Sequence, residues 1–142
     1  MGSFSVHGLD ELCAAYEKAR TVPEDVTKSI LVAMAEKAKD FQSRMAASMF
    51  NGLFVTGTTA ASIKIGTPKV NAAGGSVKVT FSGSRTRGKT NTRNAEIAYI
   101  NEFGKKGQPA RPFIRTANEQ NADAINEAGE KIFNDWLDKT GL

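Results

Sequence analysis

The chain has 142 residues, 40% of them hydrophobic and 24% charged, which fits one soluble domain, 1–142, long enough to bury a core. No apolar run approaches the roughly 20 residues needed to cross a bilayer, and a single cysteine, Cys13, excludes an intrachain disulfide. The start, Met-Gly-Ser-Phe-Ser-Val-His-Gly, lacks the basic and apolar regions of a signal peptide, so synthesis and folding in a reducing cytoplasm are expected.

The net charge of +4 is unevenly spread. Residues 61–116 hold eleven Lys/Arg against Glu96 and Glu102, net +9, which leaves eight basic and thirteen acidic residues elsewhere, net −5. Such asymmetry suits an anionic partner, or two surfaces of this chain tuned to each other.

Leu9, Leu12, Cys13 and Tyr16 fall on one helical face, predicting a short N-terminal helix over 9–19 with Cys13 as a small buried hydrophobe. The lone His7 has no ligand cluster around it and reads as a surface residue. Thr21-Val22-Pro23-Glu24 has the form of a capping box. From there to about Met49, residues Val26, Ile30, Ala33, Met34, Phe41, Met45 and Met49 keep helical spacing, and the methionine stripe reads as core packing. Residues 61–67 and 76–82 alternate, with Ile63, Ile65, Val77, Val79 and Phe81 inward, and predict an antiparallel hairpin reversing near 71–75. Residues 83–94 carry no aliphatic or aromatic side chain, so an exposed, mobile basic loop is expected there. A third strand is expected over 95–103, apolar on both sides. A final helix is expected from Pro112 to about Lys139, with Ile114, Ala117, Ile125, Ala128, Ile132 and Trp136 as its stripe. Gly129 costs that helix about 1 kcal/mol relative to Ala, which a close approach to the first long helix would explain.

The stretch 99–116 is the piece the other elements support. Gly104 and Gly107 permit a tight reversal, and Pro112 has the fixed φ of a first helical position. A strand-to-helix corner carrying Glu102, Phe103, Arg111 and Phe113 is predicted.

Glu102-Phe103-Gly104 followed by Ala110-Arg111-Pro112-Phe113 resembles the signature of the head–tail joining (neck, or tail-completion) proteins of long-tailed bacteriophages. Gly8-Leu9-Asp10-Glu11-Leu12 is similar to that family's opening, and Thr56-Gly57 with Ser62-Ile63 to its Thr-Gly-x-Leu-x-x-Ser-Ile pattern, although Thr58, Thr59 and Ala60 replace the apolar position. The resemblance implies a virion structural protein of the neck or tail end. It would join the tail tube and its terminator to the head connector, as a homo-oligomeric ring, hexameric to match six-fold tail tubes.

Catalytic machinery is not evident. The chain has no His–carboxylate–nucleophile set, no Cys/His metal spacing and no phosphate-binding Gly-rich loop, so no enzyme activity, cofactor or metal is expected. Read as strand residues, Glu96 and Glu102 share a face roughly 20 Å apart, too wide for an acid–base pair. Glu102 and Arg111 admit two readings, an intrachain salt bridge or a contact across a subunit boundary. The second makes Glu102, Phe103, Arg111, Pro112, Phe113 and Arg115 the candidate interface. The cations Arg85, Arg87, Lys89, Arg93, Lys105 and Lys106 admit three readings: a solvated loop, contact with the acidic face of a neighbouring ring, or the lining of a lumen through which DNA passes. The expected fold is α+β, an antiparallel sheet of three or four strands packed against two long helices, with a short N-terminal helix. Assembly is the leading functional reading, ahead of sequence-independent DNA binding through the basic strands and loop, a reading to which the pI of about 9.3 lends weight.

Overall fold

A computed structural model describes residues 10, 11, 13, 14, 17, 21–50 and 57–141, and among them the chain is α+β. The uninterrupted run after Pro23 forms α1 (Glu24–Met49), about 39 Å long at 1.5 Å per residue. After it come a single-turn α2 (Thr58–Ala61), β1 (Ile63–Ile65), β2 (Lys69–Asn71), β3 (Gly74–Ser76), β4 (Val79–Phe81), β5 (Ser84–Arg87) and β6 (Thr90–Arg93). Three helices complete it: α3 (Asn94–Phe103), α4 (Phe113–Gln120) and α5 (Ala122–Lys139).

Helix α1 is the pillar. It packs against α5, α4, α2 and the first four strands. Its buried positions Ala35, Gln42 and Ala46 form one stripe, and the Gln42 amide donates to Asn118 Oδ1 of α4 at 3.0 Å. The expected capping box does not form. Pro23, extended at ψ 148°, takes the N-cap position and offers no side-chain acceptor, while Glu24 pairs with Lys28 one turn on, at 2.6 Å.

The hairpin read from alternation is present as β1 with β4, in the register Ile63–Phe81, Lys64–Thr80, Ile65–Val79. The reversal at 71–75 is a hairpin of its own, β2 with β3, where Asn71 Oδ1 accepts the Ala73 N–H at 2.9 Å. The described strands therefore form three separate two-stranded ladders instead of one three- or four-stranded sheet.

Three other expectations are corrected. Residues 95–103 are helical. The pattern that alternates also places Asn94, Ala98, Asn101 and Glu102 at i, i+4, i+7 and i+8, and these are the buried positions. The basic segment 83–94 is ordered into a hairpin, β5 with β6, turning at Gly88 (φ +62°) and Lys89. Cross-strand pairing supplies the regularity that side-chain burial could not. The final helix breaks at Asn121, where the side-chain amide donates to the Ala117 carbonyl at 2.8 Å and competes with the helical ladder.

Near the N-terminus, Asp10, Glu11, Cys13, Ala14 and Glu17 are helical, and the remainder of the expected helix over 9–19, like His7, lies outside the described residues. Cys13 is exposed, contrary to its expected burial.

The core is small. Ala46, Ala98 and Phe113 form its centre, with Met45, Met49, Phe50, Ala60, Phe81 and Ile114 packed around them. A second contact joins α1 to α5 at Gly129, where an added Cβ would lie 2.7 Å from Met34 Sδ and 3.2 Å from Ile30 Cγ2. The helix-breaking cost of that glycine is thus the condition for close helix packing, as expected. Gly129→Leu should lower stability in urea titrations by about 2 kcal/mol, overpacking outweighing the gain in helix propensity. The loss should shrink in a Met34→Ala background, because that substitution vacates the space.

Candidate assembly surface

The corner between α3 and α4 concentrates most of the residues singled out in the sequence. Helix α3 stops at Gly104, whose φ of +76° turns the chain back on itself. A Cβ there would sit 2.8 Å from the Ala110 backbone nitrogen and 2.9 Å from the Gln108 carbonyl oxygen. Lys105 and Gln108 exchange both backbone hydrogen bonds at 2.9 Å, with Lys106 and Gly107 at the tip. The returning chain is sewn to α3 by the Arg111 N–H, which donates to the Asn101 carbonyl at 2.6 Å. At Pro112 the backbone (φ −76°, ψ 71°) closes an inverse γ-turn, the Phe113 N–H donating to the Arg111 carbonyl at 2.8 Å.

Pro112 is then the N-cap residue of α4, one position earlier than expected, and it has no side chain able to accept the free amides of the first turn. Glu102 supplies that acceptor from α3. Its Oε2 accepts the Ile114 N–H at 2.8 Å and its Oε1 the Arg115 N–H at 3.0 Å. Glu102 is 8% exposed and pairs with no cation among the described residues, and the two amides and the positive end of α4 balance its burial.

The Glu102–Arg111 pair read from the sequence is therefore not an ion pair in this chain. Arg111 places its guanidinium carbon 5.7 Å from the Phe50 ring centroid, and Phe50 meets Phe113 edge-on at 5.1 Å. Phe113 is fully buried, with Phe81 on its other side at 5.9 Å. Among the six candidate interface residues, Glu102 and Phe113 are buried inside the protomer, and Arg111 and Pro112 are half-buried parts of the turn. The Phe103 and Arg115 side chains are exposed. Glu96 and Glu102, six residues apart on a helix, point to different faces, and Glu102 is already engaged.

The outward face of α3 was not legible under a strand reading. Tyr99 and Phe103, one helical turn apart, are 64% and 67% exposed and their rings meet at a tilt of 47° with centroids 4.8 Å apart. Their i, i+4 spacing is the signal that would have found them.

Cationic residues lie at both ends of this helix. The β5–β6 hairpin runs straight into it, with Arg87, Lys89 and Arg93 exposed and Arg85 half-buried, and Lys105 and Lys106 stand exposed beyond its last turn. The hairpin is pinned at its base, where Asn94 donates its backbone N–H to the Gly83 carbonyl at 3.0 Å and its amide to the Ser82 carbonyl at 2.8 Å. At about 1.5 Å per residue, α3 spaces the two cationic groups by roughly 15 Å with the aromatic pair on the face between them.

Elsewhere, Glu17, Thr21, Pro23, Trp136 and Thr140 line an open groove of about 510 Å³. Among the described residues no group of three or more His, Cys, Asp or Glu is placed to hold a metal ion, and no helix is long and apolar enough to cross a membrane. Comparison with family models, curated proteins and solved structures gave no match.

Glu102→Ala should leave the Ile114 and Arg115 amides without their acceptor and cost about 2 kcal/mol in urea unfolding with an unchanged m-value. Glu102→Gln, which keeps one carbonyl acceptor, should lose about half as much.

Proposed function

We propose that this protein is a structural component of the neck or tail end of a long-tailed bacteriophage. In that role it joins the tail tube to the head connector as a ring, by contacts between proteins and not by catalysis. The observation that carries the reading is the exposed Tyr99–Phe103 pair, its rings in contact, set on a helix whose C-terminal corner is locked by Glu102 and whose ends are cationic. Exposed aromatic side chains have the composition of interface centres, and charged residues that of their rims. The ordered resemblance along the sequence, from Gly8-Leu9-Asp10-Glu11-Leu12 to Ala110-Arg111-Pro112-Phe113, supplies the particular assembly. Phe103 and Arg115 are the exposed members of the six candidate interface residues. A hexamer is the stoichiometry that a six-fold tail tube would template.

Electron microscopy of particles carrying a tagged copy should locate the chain between head and tail. Deletion of its gene should leave full heads and free tails unjoined. Intact, infectious tailed particles from the deletion would count decisively against this function.

A second reading, sequence-independent contact with DNA in the lumen, draws on the exposed cations of the β5–β6 hairpin. If it holds, duplex affinity should fall steeply with salt. Lys89→Ala with Arg93→Ala should then reduce the slope of log K against log salt by about 2, roughly one for each phosphate contact removed. Binding that is absent at low ionic strength, or insensitive to salt, removes the DNA contact and leaves the assembly reading in place.

A further inference from the structure

Helix α5 presents Asp123, Glu127 and Glu130 at i, i+4 and i+7, all exposed and on one stripe. The helix packs its other side on α1, whereas α3 packs against α2, α4, β4 and β6. The aromatic–cationic face of α3 and the acidic stripe of α5 therefore belong to different parts of one protomer. We propose that the α3 face, centred on Tyr99 and Phe103 and edged by Lys105 and Lys106, docks onto the Asp123–Glu127–Glu130 stripe of a second copy of this chain, head to tail. This assignment rests on the assembly reading and names the surfaces that would build the ring.

Three physical points favour this occupant. Two large aromatic rings held in mutual contact on the surface bury substantial apolar area when covered, at little further entropic cost, because each is already ordered by the other. Pairing α3 with α5 sets Lys105 and Lys106 against the carboxylates of Asp123, Glu127 and Glu130. Finally, a contact between two unlike faces is heterologous, and repetition of a heterologous contact gives a closed ring or an open filament, where an isologous one stops at a dimer. The carboxylates also give the aromatic pair a rim that excludes wrong registers, as charged edges do around apolar interface centres.

The test is sedimentation velocity on the full chain at low and high salt. Tyr99→Ser/Phe103→Ser removes one face, and Glu127→Lys/Glu130→Lys reverses the other. All four positions are exposed, and circular dichroism checks that the variants stay folded. The wild type should associate with rising concentration, more weakly at high salt as the charges are screened. Each variant alone should be at least about tenfold weaker in self-association. Mixed together, the two variants should recover a one-to-one dimer and nothing larger, since each retains the face the other lost. A wild type that stays monomeric at all attainable concentrations overturns the proposal, as does a Tyr99/Phe103 variant that assembles like the wild type. A mixture that fails to pair while the wild type associates overturns it too. These failures concern the docking surface, whereas particles that are complete without the chain defeat the neck assignment itself.

Discussion

The carboxylate of Glu102, buried on two backbone amides, determines how the corner of this protein is built. Helix α4 begins at a proline that can cap nothing, so its first free N–H groups need an acceptor from elsewhere. The last turn of α3 supplies it. That interaction ties the two helices together next to Phe113, the first residue of α4, which packs in the core against Phe50 and Phe81. Gly104 makes the arrangement sterically possible, since the returning backbone passes where any side chain would stand. Charge, backbone conformation and aromatic packing are thus three parts of one constraint.

A residue pattern that suggests an interface in sequence can therefore be a folding device in space. Across Glu102-Phe103-Gly104 and Ala110-Arg111-Pro112-Phe113, one side chain caps a helix, a glycine admits a turn, an arginine lies over Phe50, and the second phenylalanine is core. Phe103 is the large apolar side chain left facing outward. The pattern reads as the specification of a rigid corner, and the exposed Tyr99–Phe103 pair is what that corner holds in place. Rigidity matters for docking because an aromatic pair that is already ordered loses little further freedom on binding.

The hairpin at 84–93 shows a different balance. It has no apolar side chain to bury, and two-stranded ladders of this kind are marginal in isolation. It is held by its cross-strand hydrogen bonds and by Asn94, which ties its base to the Ser82–Gly83 backbone. The result is a cationic arm fixed at the root of α3.

Much of this protein was determined locally and was legible in the sequence. The length of α1 followed from an unbroken helical period, and the β1–β4 hairpin from strict alternation. The close approach at Gly129 followed from a glycine with no other reason to sit in a helix. The basic middle and acidic remainder were a matter of counting. Tertiary structure decided the rest where two periods fit the same residues. Ala95 to Phe103 satisfies alternation and helical spacing equally well, and only the neighbours that receive Asn94, Ala98, Asn101 and Glu102 choose between them. That choice turned Tyr99 outward, engaged Glu102 with the amides of α4, and removed it from Arg111. Local pattern cannot foresee such outcomes, because a buried polar side chain goes to whichever unpaired group the fold brings within hydrogen-bonding distance.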